Sequence, residues 1–250
     1  MRRVNGAVDA AAQAPPRQGG PADGEVHVWH GTLEPPPAVR DRFAALLSSD
    51  EAQQAGRFRF ERDRTRYIAG RAQLRLLLGG YLGVAPVGLA FRYGQYGKPE
   101  LTASELQFNL SHSGPQMLVA VTRIGDVGVD IELDTTDMAR EQIAERFFSP
   151  AEVATLRGLP AACQPRAFLA CWTRKEAFIK ARGDGLQLAL DSFDVSLAPG
   201  QPVAIVRTAW SHSEPTEWSL IDLSDGLAGY VAAVAVRSAA PVRIVRRALP

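Results

Sequence analysis

Residues 172–186 read WTRKEAFIKARGDGL, and the spacing within this stretch predicts a helix that carries chemistry. On a helix, Trp172, Glu176 and Lys180 follow one another at four-residue intervals and stack along one side. The GDG run at 183–185 predicts the end of the helix, because glycine is preferred just past a helix C-terminus. A carboxylate and an ammonium one turn apart are common, and such a pair is worth only about 0.2–0.5 kcal/mol. Its interpretation therefore depends on two segments further upstream.

The first of these segments, residues 127–133, reads VGVDIEL and alternates like a β-strand. Asp130 and Glu132 then point to the same face of the strand. Two neighbouring carboxylates repel each other unless a cation lies between them, and hard oxygen ligands of this kind suit Mg²⁺. The alternative interpretation is a half-exposed edge strand with solvated acids.

The second segment, residues 108–114, reads FNLSHSG, an apolar strand that breaks into Ser111, His112 and Ser113. Two hydroxyl groups and an imidazole at a strand end are typical of an anion-binding site. The alternative is an ordinary hydrogen-bonded histidine with no ligand.

Composition is that of an ordinary globular protein, with 46% hydrophobic and 22% charged residues among 250. The net charge of +1 gives no bulk attraction to nucleic acid or to a membrane surface. Cys163 and Cys171 lie eight residues apart and match no C-x-x-C pattern, which favours reduced thiols in the cytoplasm. Residues 1–24 are interrupted by polar residues and prolines, so we expect a disordered N-terminal tail rather than a signal peptide or membrane span.

Strand and helix patterns follow the same order in both halves of the chain, and they predict an α+β fold. We expect an N-terminal half over residues 25–124 and a C-terminal half over 125–250. Ser149 and Glu152 predict a capping box at a helix start, which gives Glu152 a structural role. In the first half, Ser49 is the expected cap of a helix that begins near residue 50.

Residues 57–75 contain seven arginines and only two acids. Planar guanidinium groups bind phosphates well, so this segment predicts a phosphate site, with a solvated basic face as the alternative. The helical pattern in the same region places Ile68, Ala72, Leu76 and Gly79 on the inner line.

Taken together, the motifs resemble those of the 4′-phosphopantetheinyl transferases, and among them the monomeric type that activates surfactin synthetase. The resemblance is carried in chain order by GKP (97–99), FNLSHS (108–113), GVDIE (128–132), WTRKEAFIK (172–180) and GDGL (183–186). Weaker resemblance extends from Phe58 to Tyr230.

The resemblance implies transfer of 4′-phosphopantetheine from coenzyme A to a serine of an acyl or peptidyl carrier protein, with release of 3′,5′-ADP. The carriers would belong to fatty-acid, polyketide or nonribosomal peptide synthesis. It further implies a monomer of two similar halves related by a pseudo-twofold axis, with the active site in the cleft between them. The N-terminal half would bind coenzyme A, and the C-terminal half would hold the metal and dock the carrier.

The site residues follow from the same resemblance. Asp130, Glu132 and Glu176 would bind Mg²⁺, which Mn²⁺ could replace. Glu176 would also act as general base, directly or through a water bound by the metal, while Lys180 and His112 would neutralise and bind the phosphates. The residues expected to bind coenzyme A are Arg66, Arg71, Lys98, Ser111, His112, Lys175 and Lys180.

Two further expectations concern packing and docking. Trp172 is expected to pack and orient its helix rather than to react. By family analogy, Phe147, Phe148 and Leu156 are candidates for carrier docking, with an ordinary core position as the alternative for the two phenylalanines.

Two other functions remain open at this point. One is a non-catalytic homologue that binds coenzyme A or a carrier protein, although such a protein has no need of all three carboxylates, His112 and Lys180. The other is a Mg²⁺-dependent nuclease, which the near-zero net charge and the absence of an E-x-K metal motif disfavour.

Overall fold

The computed structural model describes residues 19–102, 104–134 and 140–249. Residues 1–18 of the expected tail therefore lie outside the described residues. Across these ranges, no helix has the length and apolar character needed to cross a membrane. The helices are α1 (Pro37–Ala44), α2 (Ser49–Ala55), α3 (Glu61–Leu82), α4 (Arg140–Phe147), α5 (Pro150–Gly158) and α6 (Gln164–Arg182). The strands are β1 (Glu25–Thr32), β2 (Phe91–Tyr93), β3 (Pro99–Leu101), β4 (Gln107–Ser113), β5 (Gln116–Thr122), β6 (Val127–Leu133), β7 (Phe193–Val195), β8 (Ile205–Thr208), β9 (Trp218–Asp222), β10 (Tyr230–Arg237) and β11 (Arg243–Ala248). This mixture confirms the predicted α+β class.

Two sheets position the candidate site. The first has the strand order β11-β1-β5-β4, with β11 parallel to β1 and the other pairs antiparallel. The second has the order β6-β10-β9 and is antiparallel throughout. The last strand of the chain thus joins the sheet of the first half, which the predicted division after residue 124 did not include. β4 and β6 are the edge strands that face each other where the two sheets meet.

The long helix α3 packs on the first sheet through a stripe that differs from the predicted one. Ala72 and Gly79 are buried as expected, whereas Ile68 and Leu76 are only half-buried. The reason is Arg75, which lies outside the predicted inner line but is only 2% exposed. Its burial turns the inner line of the helix towards Arg75.

A short capped helix precedes each of the two long helices. Ser48 and Glu51 form the capping box of α2, and Ser149 and Glu152 form that of α5. The second box confirms the structural role predicted for Glu152. The predicted cap at Ser49 is wrong by one residue, because the extended residue before the helix is Ser48.

Each capping glutamate is also a buried acid that binds the following long helix. Glu51 pairs with Arg71 and Arg75, and Arg75 Nε lies 2.6 Å from Glu51 Oε2. Glu152 Oε2 lies 2.8 Å from Lys175 Nζ, and both side chains are almost fully buried. Each acid therefore fixes a short helix to a long one at a point that water does not reach.

The closest contact between strand and helix occurs at Gly128 on β6. A Cβ atom at this position would lie 2.1 Å from Ala177 O and 2.3 Å from Ala181 N on α6. Lys98 ties the same two elements, since its Nζ donates to Val127 O at 3.1 Å and to Ala181 O at 2.9 Å. The glycine of the GVDIE motif is thus required because main chain packs directly on main chain.

We expect Gly128→Ala to destabilise the protein by about 3 kcal/mol or more, because backbone atoms of α6 cannot yield as a flexible side chain would. Urea unfolding measures the loss. Gly88→Ala is the matched control, since an added Cβ there meets no atom within 4 Å. Equal stability of the two variants would contradict the tight packing at Gly128.

Replacing Lys175 by Met should cost about 3–5 kcal/mol in the free energy of unfolding, because it leaves the buried carboxylate of Glu152 without its cation. Urea unfolding again provides the measurement. The double variant Glu152→Gln/Lys175→Met should recover part of the loss, since glutamine retains the capping bond without the charge. If Lys175→Met is as stable as the unaltered protein, the buried ion pair does not contribute to stability as predicted.

Candidate active site

The candidate site centres on Asp130, which is buried where β6 faces β4 and α6. Its Oδ1 accepts a hydrogen bond from Ser111 Oγ at 2.8 Å and lies 2.6 Å from Lys180 Nζ. The same ammonium donates to Ser111 Oγ at 3.0 Å. Burial raises the pKa of Asp130, and the positive charge of Lys180 opposes this effect. Asp130 on β6, a predicted metal ligand, and Lys180 on α6, a predicted phosphate ligand, therefore form an ion pair.

Glu176 lies one helical turn before Lys180 and is half-buried. Burial raises the pKa of Glu176, and the negative charges of Asp130 and Glu132 raise it further, while Lys180 lowers it. Glu176 lines a cavity of about 250 Å³ beside the ion pair. Other residues lining this cavity include Tyr96, Lys98, Asn109, Ile179 and Lys180. A carboxylate with a raised pKa at a cavity wall is suited to accept a proton.

The third predicted acid, Glu132, lies two residues along the same face of β6. Its Oε2 accepts a hydrogen bond from Ser113 Oγ at 2.9 Å. The side chain is half-buried, and its charge is felt at Glu176. The structure thus brings the three predicted acids into one electrostatic neighbourhood.

The carboxylate oxygens of Asp130, Glu132 and Glu176 are the candidate metal ligands of the site. Over residues 19–102, 104–134 and 140–249, no three His, Cys, Asp or Glu side chains are close enough together to hold a metal ion as they stand. However, Asp130 Oδ2 is buried and finds no hydrogen-bond partner within the described part of the chain. Carboxylate oxygens are the ligands that Mg²⁺ prefers. The three carboxylates therefore have the oxygen chemistry that suits Mg²⁺, but they are not gathered into a metal-binding cluster in this arrangement, in which the ammonium of Lys180 supplies the positive charge beside Asp130.

His112 and Arg66 approach the site from its outer side. His112 is exposed, and its pKa is lowered by partial desolvation and by the positive charges of Lys180 and Arg66. Arg66 Nη2 lies 2.5 Å from Glu34 Oε1, while its buried Nε lacks a hydrogen-bond partner among the described residues. Three basic side chains thus lie close enough to influence one another, which favours binding of an anion.

Several predicted coenzyme-binding residues have other partners. Lys175 is fully buried and donates to Leu190 O at 2.7 Å besides pairing with Glu152, so it has no surface for a ligand. Arg71 is only 11% exposed and is held by Glu51. Ser111 is buried between Asp130 and Lys180 rather than open to solvent. Lys98 lines the cavity, although its Nζ is also held by the carbonyl groups of Val127 and Ala181.

Of the residues expected to pack or to dock the carrier, some lie in the core and others are partly exposed. Trp172 stacks on Phe168 and meets Phe147 edge to face, which confirms its packing role. Phe148 and Leu156 are buried in the core of the second half, so the docking role suggested for them is wrong. Phe147 is half-buried.

Sequence reasoning missed the buried acid Glu51 and the cation Arg75 beside it. The signal was present, because residues 48–51 read SSDE and match the S-x-x-E pattern of a capping box. It also missed Asn109, whose Oδ1 accepts the Val129 N–H at 2.9 Å across the meeting of the two sheets. No sequence signal distinguishes this asparagine from one on an exposed strand.

Comparison with known proteins identifies the family of this chain. Residues 126–235 match the family model of the 4′-phosphopantetheinyl transferase superfamily, and residues 33–123 match that of the 4′-phosphopantetheinyl transferase N-terminal region. The 4′-phosphopantetheinyl transferase HetI of Nostoc sp. is 42% identical over 203 residues, which cover 80% of this chain and 82% of HetI. The 4′-phosphopantetheinyl transferase Sfp of Bacillus subtilis is 32% identical over 166 residues, which cover 66% of this chain and 73% of Sfp. The chain therefore belongs to the 4′-phosphopantetheinyl transferases of the Sfp-like type, enzymes that transfer the phosphopantetheine group to carrier proteins.

Proposed function

We propose that this protein transfers 4′-phosphopantetheine from coenzyme A to a serine of an acyl or peptidyl carrier protein, in a Mg²⁺-dependent reaction that releases 3′,5′-ADP. The observation that carries the proposal is the group formed by Asp130, Lys180 and Ser111 beside Glu176 at a cavity of about 250 Å³. It combines a proton acceptor, a cation and carboxylate oxygens for a metal.

In the proposed reaction the serine oxygen of the carrier bonds to the phosphorus that bears the pantetheine arm, and the bond from that phosphorus to 3′,5′-ADP breaks. Glu176 takes the proton of the serine hydroxyl, for which its raised pKa is suited. Lys180 leaves Asp130 and stabilises the charge that develops on the leaving phosphate. Asp130, Glu132 and Glu176 would hold Mg²⁺, which when bound supplies charge neutralisation at the pyrophosphate.

The basic side chains that surround this centre would hold the coenzyme. Arg66 and His112 are the proposed phosphate ligands. Arg66 Nε is buried without a partner in the described chain. His112 is exposed and lies close enough to Arg66 for the positive charge of Arg66 to act on it. Lys98 would contact the coenzyme at the cavity wall. We leave Lys175 and Arg71 out of this group because buried glutamates hold them.

We further propose that the two halves are related by a pseudo-twofold axis. Support comes from their matching parts, since each contains a capped short helix whose glutamate binds a cation on a long helix. Both long helices also end at a glycine with positive φ, 67° at Gly83 and 79° at Gly183. Two such halves in one chain build the cleft without a second copy, so we propose a monomer. We also propose a cytoplasmic location, because Cys163 and Cys171 are free thiols.

The proposed reaction is tested by the intact mass of an apo carrier protein incubated with this protein, coenzyme A and Mg²⁺. One phosphopantetheine arm should be added, and EDTA should prevent the addition until excess Mg²⁺ or Mn²⁺ restores it. In the same assay Glu176→Gln should lower kcat about 100-fold or more, because a positioned base contributes that much.

Glu145→Gln is the control for that variant, since Glu145 is exposed and pairs only with Arg157 in the described contacts of α4. Transfer that continues in EDTA would contradict the proposed requirement for a divalent metal ion. Coenzyme A binding without any transfer to fatty-acid, polyketide or peptide carriers would favour the non-catalytic homologue.

The raised pKa of Glu176 also makes a prediction about stability in the absence of metal. An acid whose pKa rises above its ordinary 4.5 on folding binds more protons in the folded state, so its contribution to stability falls as the pH rises. In EDTA, Glu176→Gln should therefore be more stable than the unaltered protein at pH 8, and this advantage should shrink as the pH falls towards 5. Thermal unfolding at several pH values measures the difference. An advantage that is independent of pH would contradict the raised pKa.

A further inference from the structure

The two sheets meet along β4 and β6 through side chains instead of a main-chain ladder. Three alternate residues of β4 bond to β6, namely Asn109, Ser111 and Ser113. Unpaired amide groups at a strand edge need partners, and here polar side chains from the opposite strand supply them. The sequence FNLSHS thus places three short polar side chains on one face of a strand, with His112 on the other.

Two of these side chains bind β6 immediately beside the two acids. Asn109 Oδ1 accepts the Val129 N–H, the residue before Asp130, at 2.9 Å. Ser113 Oγ accepts the Leu133 N–H, the residue after Glu132, at 3.1 Å. The pair of bonds thus encloses the segment that carries both carboxylates.

Ser113 makes a second bond that reaches one of the acids. Its hydroxyl donates to Glu132 Oε2 at 2.9 Å while it accepts from Leu133 N. A hydroxyl has one hydrogen to donate, so this arrangement commits it to Glu132. The bond therefore fixes the orientation of the Glu132 carboxylate as well as the position of its backbone.

We propose that Asn109 and Ser113 are positioning residues that set the separation and orientation of Asp130 and Glu132 for a divalent cation. The inference rests on the proposed function, because it assigns the two acids to metal binding. It adds that the first half of the chain, which contributes no carboxylate to the site, determines the metal affinity of the second half. Partners of ligating carboxylates have this effect generally, and their loss weakens metal binding about 10–100-fold.

The test is the binding of Mn²⁺, followed by electron paramagnetic resonance, to the full chain in the presence of coenzyme A and without carrier protein. Ser113→Ala should bind Mn²⁺ about 10-fold or more weakly. Ser113→Thr keeps the hydroxyl and should stay within about twofold of the unaltered protein. Hydrogen exchange of the Leu133 amide, which should be faster only in the alanine variant, reports on the bond itself.

Ser196→Ala is the matched structural control. Ser196 Oγ also accepts a main-chain hydrogen bond, from Ala204 N at 2.9 Å, next to β7 and outside the site. This variant should lose a similar amount of thermal stability but bind Mn²⁺ as the unaltered protein does.

The outcomes separate this inference from the function on which it rests. Tight Mn²⁺ binding by the unaltered protein and by Ser113→Ala alike would overturn the inference and leave the proposed function intact. Equal weakening in Ser113→Ala and Ser196→Ala would also overturn it, because a general loss of stability then explains both. If the unaltered protein binds Mn²⁺ no better than Glu176→Ala, the proposed metal site is wrong and the inference falls with it.

Discussion

The site depends on the direct contact between the backbone of β6 and that of α6 at Gly128. Any side chain at this position would overlap Ala177 and Ala181, so the strand lies against the helix at main-chain distance. Lys98 fixes the same contact from the first half by bonding to carbonyls of both elements. Two residues further along the strand, Asp130 is thereby held within 2.6 Å of Lys180.

The acidic side chains near this contact need a cation close to them. Asp130 and Glu176 both lie in surroundings that raise their pKa, so each is destabilised as an anion unless a cation is near. Lys180 provides that cation for Asp130. A divalent ion would satisfy the same carboxylates and release the ammonium for the phosphates. In the proposed reaction, competition between these two cations for one set of oxygens would link metal binding to the availability of Lys180.

Much of this arrangement was predictable from the sequence. The strand at 127–133 has the expected bounds, and the long helix ends before the GDG run as expected, because alternation, the 3.6-residue period and the GDG stop are local signals. Lys175 and Arg71 were not predictable in this way. A lysine within a motif is indistinguishable from its exposed neighbours until the acid that buries it, Glu152 or Glu51, is placed in three dimensions. The last strand was equally hidden, since its partner β1 lies at the opposite end of the chain.

The sequence by itself determined the family, the order of the elements and the identity of the acids and of Lys180, because each depends on residue type and spacing along one strand or helix. Only the tertiary structure decided which of the basic residues face the cavity and which serve as buried partners of the capping glutamates. It also decided that Asn109 and Ser113 bind the strand that carries Asp130 and Glu132. The physical reason is that hydrogen bonds and ion pairs between distant segments depend on distance in space, which spacing along the chain does not specify.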